Sequence, residues 1–349
     1  EGDFYDAVLA AARADLGGGW SDTPPFWNEY GGVVLNCALE LNHSLPIRVV
    51  ARRIYEPILV FKSIDLNLEK KILSMNELLN YKNPSDPLAL HKASLLFSGF
   101  IPEEENCSLK AVFKETGGLE LTTRVDVPKG SGLGISSILA AAMLICFSTL
   151  ISEKWEEKVL FEKVLGLEQK LTTGGGWQDQ VGGITPGIKL VTTRPGFPQY
   201  PEYEPVLLNH EIKKKMNELY VIIYTGQKRL AKNILRDMMS SYILANPVAV
   251  RSLHEIKEIA KNMKRALMNG DFAQLGSLMA QHWEINKKID PGCTNLLIDR
   301  IFEVCSPFIY GGKMCGAGGG GFMEVIVKDA EGVQNLKKIL RKEFPEGNV

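Results

Sequence analysis

The chain has 349 residues, a formal net charge of −1, 45% hydrophobic residues and 23% charged residues. This composition excludes bulk disorder, and the length allows about two domains. The near-neutral balance gives no basic field for nucleic acid and no reason to expect an anionic membrane partner.

In chain order, residues 4–15 read as a strand closed by Gly17, Gly18 and Gly19. Thr23 followed by Pro24 and Pro25 predicts a short helix, with Thr23 as its cap and Gly31-Gly32 as its stop. The β-branched stretches 33–39, 46–54 and 58–64 predict strands. Ser85-Asp86-Pro87 predicts a helix to about residue 98, stopped by Gly99. Over 119–127 apolar and polar residues alternate, the mark of a half-buried strand. Two helices follow: 136–150, apolar nearly all round and so interior, and 154–171, amphipathic. A strand at 187–193 precedes the proline-rich stretch 194–205, which places a domain boundary between residues 1–198 and 199–349. Beyond it lie a strand at 219–225, helical segments between 229 and 288, and a helix near 294–305. A strand pair at 310–314 and 322–328 and a helix from 330 close the chain. Runs of strand followed by runs of helix predict an α+β fold.

The longest apolar run, 138–151, is too short to span a bilayer, and no secretory signal opens the chain. Cys37, Cys107, Cys146, Cys293, Cys305 and Cys315 form no CxxC and sit mostly in apolar segments, which predicts reduced, buried thiols in a cytoplasmic protein. A start at Glu1 fits either a processed protein or a piece of a longer one.

Fourteen of the 33 glycines fall in four runs: 17–19, 130–134, 174–176 and 316–321. Clustered glycines between apolar segments predict backbone built to approach something closely. The sharpest signal is PKGSGLGISS at 128–137, between a strand and an apolar helix. Glycines there let successive amides turn toward an anion, and the helix start adds partial positive charge. The stretch is neither a Walker A loop nor a dinucleotide fingerprint, since it lacks GK[ST] and GxGxxG. A plain glycine turn before a helix, with Ser136 and Ser137 as caps, is the bland alternative.

PKGSGLGISSILAA resembles the central motif of the GHMP kinases. ARADLGGGWSD at 12–22 resembles their first motif and CGAGGGGF at 315–322 their third, in the same order. GGWSDTPP (18–25), GSGLGISSILAA (130–141) and LTTGGGWQDQVGG (171–183) resemble the fucokinase branch, in particular the kinase portion of bifunctional fucokinase/GDP-fucose pyrophosphorylases. The resemblance covers essentially the whole chain. It implies a two-lobed fold, with an N-terminal lobe like ribosomal protein S-five domain two and a ferredoxin-like C-terminal lobe.

It also implies an ATP-dependent sugar kinase that uses Mg²⁺ and phosphorylates the anomeric hydroxyl of L-fucose, on the way to GDP-fucose. The small-molecule sugar and ATP are the expected partners, with no nucleic acid, no membrane, and a fused pyrophosphorylase domain as an option. Another sugar (a heptose 7-phosphate, galactose or arabinose) and a non-catalytic sensor on the same fold are the alternatives.

By the resemblance, Lys129, Gly130, Ser131, Gly132, Leu133, Gly134, Ile135, Ser136 and Ser137 hold the triphosphate. Ser137 and Glu168 hold magnesium, and Asp179 is the catalytic base with Arg13 beside it. The sugar would meet Gly19, Trp20, Asp22, Gly175, Gly176, Trp177, Asp179, Gly318 and Gly319, with Gln178 a further candidate. Galactokinases carry GEHTD where this chain reads Gly18-Gly19-Trp20-Ser21-Asp22. Asp22 is kept, but the glutamate that reads the carbon-six hydroxyl is replaced by Gly19. That loss, with Trp20 as an aromatic wall, suits the carbon-six methyl of L-fucose.

Overall fold

The computed structural model describes residues 5–83, 85–102, 108–171, 174–227, 239–240, 242–244 and 246–344. Cys107, Thr172, Thr173 and the expected helical start at 229 lie outside the described residues. The elements run β1 (Tyr5–Ala10), β2 (Ala12–Gly17), α1 (Phe26–Tyr30), β3 (Val33–Leu39), β4 (Ile47–Ile54), β5 (Leu59–Ser63) and β6 (Leu68–Ile72). Next come α2 (Met75–Leu79), α3 (Ala89–Phe97), α4 (Leu109–Thr116), β7 (Gly118–Val125), α5 (Ile135–Leu150), α6 (Glu157–Lys170) and α7 (Gln178–Ile184). Then follow β8 (Ile188–Thr192), β9 (Glu202–Pro205), α8 (His210–Leu219), β10 (Tyr220–Tyr224), α9 (Pro247–Met268) and α10 (Phe272–Ile289). The chain closes with α11 (Leu296–Cys305), β11 (Ile309–Met314), β12 (Phe322–Val327) and α12 (Ala330–Glu343). Mixed helix and sheet bear out the α+β reading.

The chain forms two compact units that interleave along the sequence. The first holds 1–12, 39–127 and 135–175, and the second 13–38, 128–134 and 176–349. They divide the chain differently from the 1–198 and 199–349 boundary drawn from the proline-rich stretch.

The first unit is built on a five-stranded sheet in the order β1-β4-β7-β5-β6, antiparallel except for the β5–β7 pair. On β7 the alternation is realised: Leu119, Leu121 and Thr123 are buried, and Arg124 is exposed. Helix α5 packs on β1 and β4, with α3 and α6 against it. Residues 138–144 of α5 are all buried, as an all-round apolar helix requires.

The second unit carries the four-stranded sheet β2-β3-β8-β9 and the three-stranded sheet β10-β12-β11. Helices α9 and α10 pack on each other, and α10 lies on β11. Gly276 lets that contact close: a Cβ there would come within 2.5 Å of Tyr310 Cβ. The expected strand 4–15 divides at Ala11 into β1 and β2, which join different sheets. The expected cap of α1 is also corrected. Pro25 occupies that position, and the Thr23 hydroxyl donates to the Trp20 carbonyl at 2.6 Å.

The five described cysteines are buried, and no disulfide forms among the described residues. Among the described residues no helix is long and apolar enough to cross a membrane.

Candidate active site

In the second unit, β2 is buried along its whole length although it contains Arg13 and Asp15. Arg13 meets Asp179, in the first turn of α7. Its Nε and Nη2 both donate to Asp179 Oδ1, at 2.8 and 2.5 Å, and its Nη1 donates to the Gly132 carbonyl at 3.1 Å. The Arg13 side chain is 4% exposed and that of Asp179 27%, so the pair opens on the aspartate side. Burial would push the Arg13 guanidinium down, but Asp179 and Asp15 outweigh it and raise it.

The same arginine braces the glycine loop. Gly130, Gly132 and Gly134 have φ of +74°, +76° and +72°, with Ser131 and Leu133 between them outside that region. This alternation turns neighbouring amides to one side, the geometry of an anion nest. The carbonyls on the other side are taken: Ser131 O accepts from Phe322 N–H at 2.9 Å and Leu133 O from Arg13 N–H at 3.2 Å. The third glycine run lies directly against this loop. A Cβ on Gly132 would overlap the Cys315 carbonyl, and one on Gly321 would overlap the Ser131 carbonyl. Gly318 and Gly319 instead rest on the Cys293 carbonyl. Ser131 and Leu133 are buried, whereas Lys129, Gly130 and Ser136 are exposed.

In the first unit, Ser137 near the start of α5 donates through Oγ to Glu168 Oε1 on α6 at 2.7 Å. Both residues are buried, so the solvated-helix-face reading of Glu168 does not hold. The second oxygen, Oε2, lies 3.6 Å from where a Gly175 Cβ would be. A hydroxyl and a carboxylate side by side are hard oxygen donors, the set that Mg²⁺ takes when phosphate and water supply its other ligands.

The 18–22 turn and the start of α7 close on one another. Asp22 is fully buried and accepts from Trp20 N–H at 3.1 Å, Gln178 N–H at 3.2 Å and Gln178 Nε2 at 2.9 Å. Burial, and then the neighbouring charges of Asp179 and Asp15, push its carboxyl up to about 7. Gly176 is wedged on Asp22, since a Cβ there would overlap Oδ2. Trp20 is 3% exposed and holds φ +84°, a backbone region that a bulky side chain seldom adopts unless its surroundings impose it. Trp177 is fully buried, and its ring leaves room only for glycine at position 32. Among the described residues the indole N–H groups of Trp20 and Trp177 and the Oε1 of Gln178 have no hydrogen-bond partner. Gly19 sits on Asp15: its N–H donates to Oδ1 at 3.2 Å, and a Cβ there would overlap Oδ2.

Sequence reasoning missed what lies beneath this turn. Lys313 of β11, fully buried, pairs with Glu324 of β12 at 2.9 Å and with Asp15 at 3.5 Å, and also donates to the Asp15 carbonyl. Tyr220 donates to the other oxygen of Glu324 at 2.7 Å. His282 Nε2 accepts from Gly18 N–H at 3.0 Å; burial, and then Lys313, hold its imidazole down at about 4, so it is neutral there. Burial opposes the charge of Lys313, but Asp15 and Glu324 outweigh it and raise the amine. Lys189 and Asn36, which grip α7, were missed as well. Scattered single charges inside apolar strands give no motif. The available signal was a lone lysine in GGKM and in GIKL, which reads equally well as a solvent-facing residue.

Two family models match the chain, the GHMP kinases N terminal domain over residues 106–186 and the GHMP kinases C terminal over 263–346. The chain is 37% identical over 340 residues to an L-fucokinase/L-fucose-1-P guanylyltransferase of Bacteroides fragilis, covering 95% of this chain and 36% of that protein. It is 35% identical to a bifunctional fucokinase/GDP-fucose pyrophosphorylase of Arabidopsis thaliana, covering 96% and 31%. It thus spans about a third of the length of these two relatives. A D-glycero-alpha-D-manno-heptose 7-phosphate kinase of Campylobacter jejuni is 28% identical, covering 95% and 91%. Among solved structures, a heptose 1-phosphate kinase of Bacteroides thetaiotaomicron superposes with a TM-score of 0.71 at 19% identity, over 97% and 93% of the two chains.

Proposed function

We propose that this chain, which belongs to the GHMP kinases, transfers the γ-phosphoryl group of ATP to the anomeric hydroxyl of L-fucose, giving β-L-fucose 1-phosphate. The relatives support a sugar kinase, and the observation that carries fucose is Gly19. A Cβ there would overlap the Asp15 carboxylate, leaving no space for the glutamate that would read a carbon-six hydroxyl. A methyl needs no such acceptor, and an unpaired buried carboxylate would cost several kcal/mol. The unpartnered indole N–H groups of Trp20 and Trp177 are donors that sugar oxygens can satisfy.

In this reading the glycine loop 130–134 turns its amides to the triphosphate, and Lys129, Ser131, Ile135 and Ser136 would be further phosphate contacts. Ser137 and Glu168 would hold Mg²⁺, which when bound neutralises phosphate charge. Both donors of Arg13 end on Oδ1 of Asp179. That leaves Oδ2 to accept the proton of the attacking hydroxyl while Arg13 fixes the carboxylate's orientation. The Arg13 charge also favours negative charge gathering on the transferred group. Gly175, Gly176, Gly318 and Gly319 keep the walls free of side chains. The product is a substrate for nucleotidyl transfer to GDP-fucose, the second activity named in both fused relatives, and the reaction is placed in the cytoplasm. The lobes of the family correspond here to residues 1–198 and 199–349.

A coupled assay for ADP across a sugar panel tests the reading. L-Fucose is expected to give the highest kcat/KM. The Campylobacter relative favours one second reading, a heptose 7-phosphate. ADP release with that sugar or galactose, and none with fucose, would overturn the proposal.

A further inference from the structure

Helix α7 carries Asp179 in its first turn, yet has little of its own to keep it in place. It is seven residues long, contains Gly182 and Gly183, and would be marginal as an isolated helix. Its position must come from its neighbours. Asn36 on β3 and Lys189 on β8 occupy directly opposed strand positions, and both reach it. Asn36 Nδ2 donates to the Gln178 carbonyl at 2.9 Å, at the helix start. Lys189 Nζ donates to the carbonyls of Gly182 at 2.7 Å and Thr185 at 2.5 Å, at the helix end. A Cβ on Gly182 would overlap the Asn36 amide, so the helix lies flush on that residue.

Lys189 is fully buried, and among the described residues its ammonium meets carbonyl oxygens and no carboxylate. A buried ammonium answered only by dipoles is unfavourable, and an apolar side chain of similar length would fill the space at less cost. The final carbonyls of a helix are where a cation is best placed, because they carry unsatisfied acceptors and partial negative charge.

Resting on the reading above, we infer that Lys189 is a positioning residue for phosphoryl transfer, its ammonium clamping the C-terminal carbonyls of α7 and so fixing where the first turn holds Asp179. The clamp is sensitive to alkali. Burial pushes the Lys189 amine down to about 8. Beside it Cys37 on β3 is pushed up to about 12 by burial and so is neutral near pH 8, while the acidic residue of α7, Asp179, is in the first turn of the helix. Glu202 and Glu204 on β9 are exposed, and Glu204 is paired with Lys264 of α9 at 2.5 Å. As pH rises from 7 to 9 the amine loses its charge and the clamp loosens.

Hydrogen exchange and kinetics test this together. In the wild type, exchange of the amides 181–185, corrected for the intrinsic base-catalysed rate, is expected to quicken between pH 7 and 9. Over the same range kcat falls while the KM for ATP stays level. Lys189→Met is expected to show at pH 7 the exchange that the wild type reaches at pH 9. Its kcat should be lower by about tenfold or more and should fall no further with pH. Lys189→Arg is expected to keep the slow exchange and recover part of kcat. Exchange in the wild type that is flat from pH 7 to 9 would overturn the clamp, and this arm holds even if Lys189→Met fails to fold. So would a folded Lys189→Met with wild-type exchange and kcat. Exchange needs no sugar, so a wild type that phosphorylates no sugar defeats the proposed function while the clamp is still judged on the amides.

Discussion

Two donors of Arg13 converge on one oxygen of Asp179, and in the proposed reaction the other oxygen accepts the hydroxyl proton. Asp179→Asn is therefore expected to lower kcat by roughly 10³-fold, because an amide cannot take the hydroxyl proton, while calorimetry finds ATP binding little changed. Turnover near wild type would remove Asp179 from the role of base. Asp22 makes a separate prediction about pH. Its carboxyl stands at about 7 in the folded protein against 3.8 as the unperturbed value. The folded state thus keeps a proton that the unfolded chain has released, and Asp22's contribution to stability falls as pH rises from about 4 to about 7. Asp22→Asn is expected to lack this decline, so denaturant unfolding at pH 5 and pH 7.5 should show a smaller loss in the variant. Equal losses would contradict it. Arg13 and Asp179 were legible because each sits in a motif beside glycine. The Asp15–Lys313–Glu324 cluster was not, because its members lie up to 309 residues apart and meet only through folding.

At the scale of elements, the glycine runs are places where two backbones meet. Gly132 and Gly321 have φ of +76° and +84° and press on the carbonyls of Cys315 and Ser131. Gly132→Ala and Gly321→Ala are each expected to destabilise the protein by about 1–3 kcal/mol and to weaken ATP binding, as read by thermal unfolding with and without nucleotide. Gly174, at φ +69° with nothing within 4 Å of a Cβ, is the control. Gly174→Ala carries only the backbone penalty, about 1 kcal/mol. If all three behave alike, close approach is not what selects glycine. Long periodic elements such as α5 and β7 were legible in the sequence. Helix α7 was not: seven residues with two glycines lack the apolar period of a helix, and Asn36 and Lys189 supply what its own sequence lacks. Strand β9 was hidden in the same way, because a proline-rich edge strand reads as a linker.

At the scale of the whole molecule, the chain folds into two compact units drawn from interleaved segments. Segments 13–38 and 128–134 join the unit that also holds 176–349. Arg13, Asp179 and the loop 130–134 belong to one unit, and Ser137 and Glu168 to the other. Glu168→Gln is expected to weaken Mg²⁺ binding, seen as a higher magnesium requirement for turnover at fixed ATP, with the folded state retained. The proposed reaction is attack on the γ-phosphorus of ATP by the anomeric hydroxyl, activated by Asp179, of a sugar that lacks a carbon-six hydroxyl. Phosphorus NMR of the product formed from L-fucose and MgATP tests it most directly. One phosphomonoester is expected, its signal split by the anomeric proton, and none with Asp179→Asn. An ester at any other hydroxyl, or no ester from fucose under conditions where another sugar is phosphorylated, would contradict it.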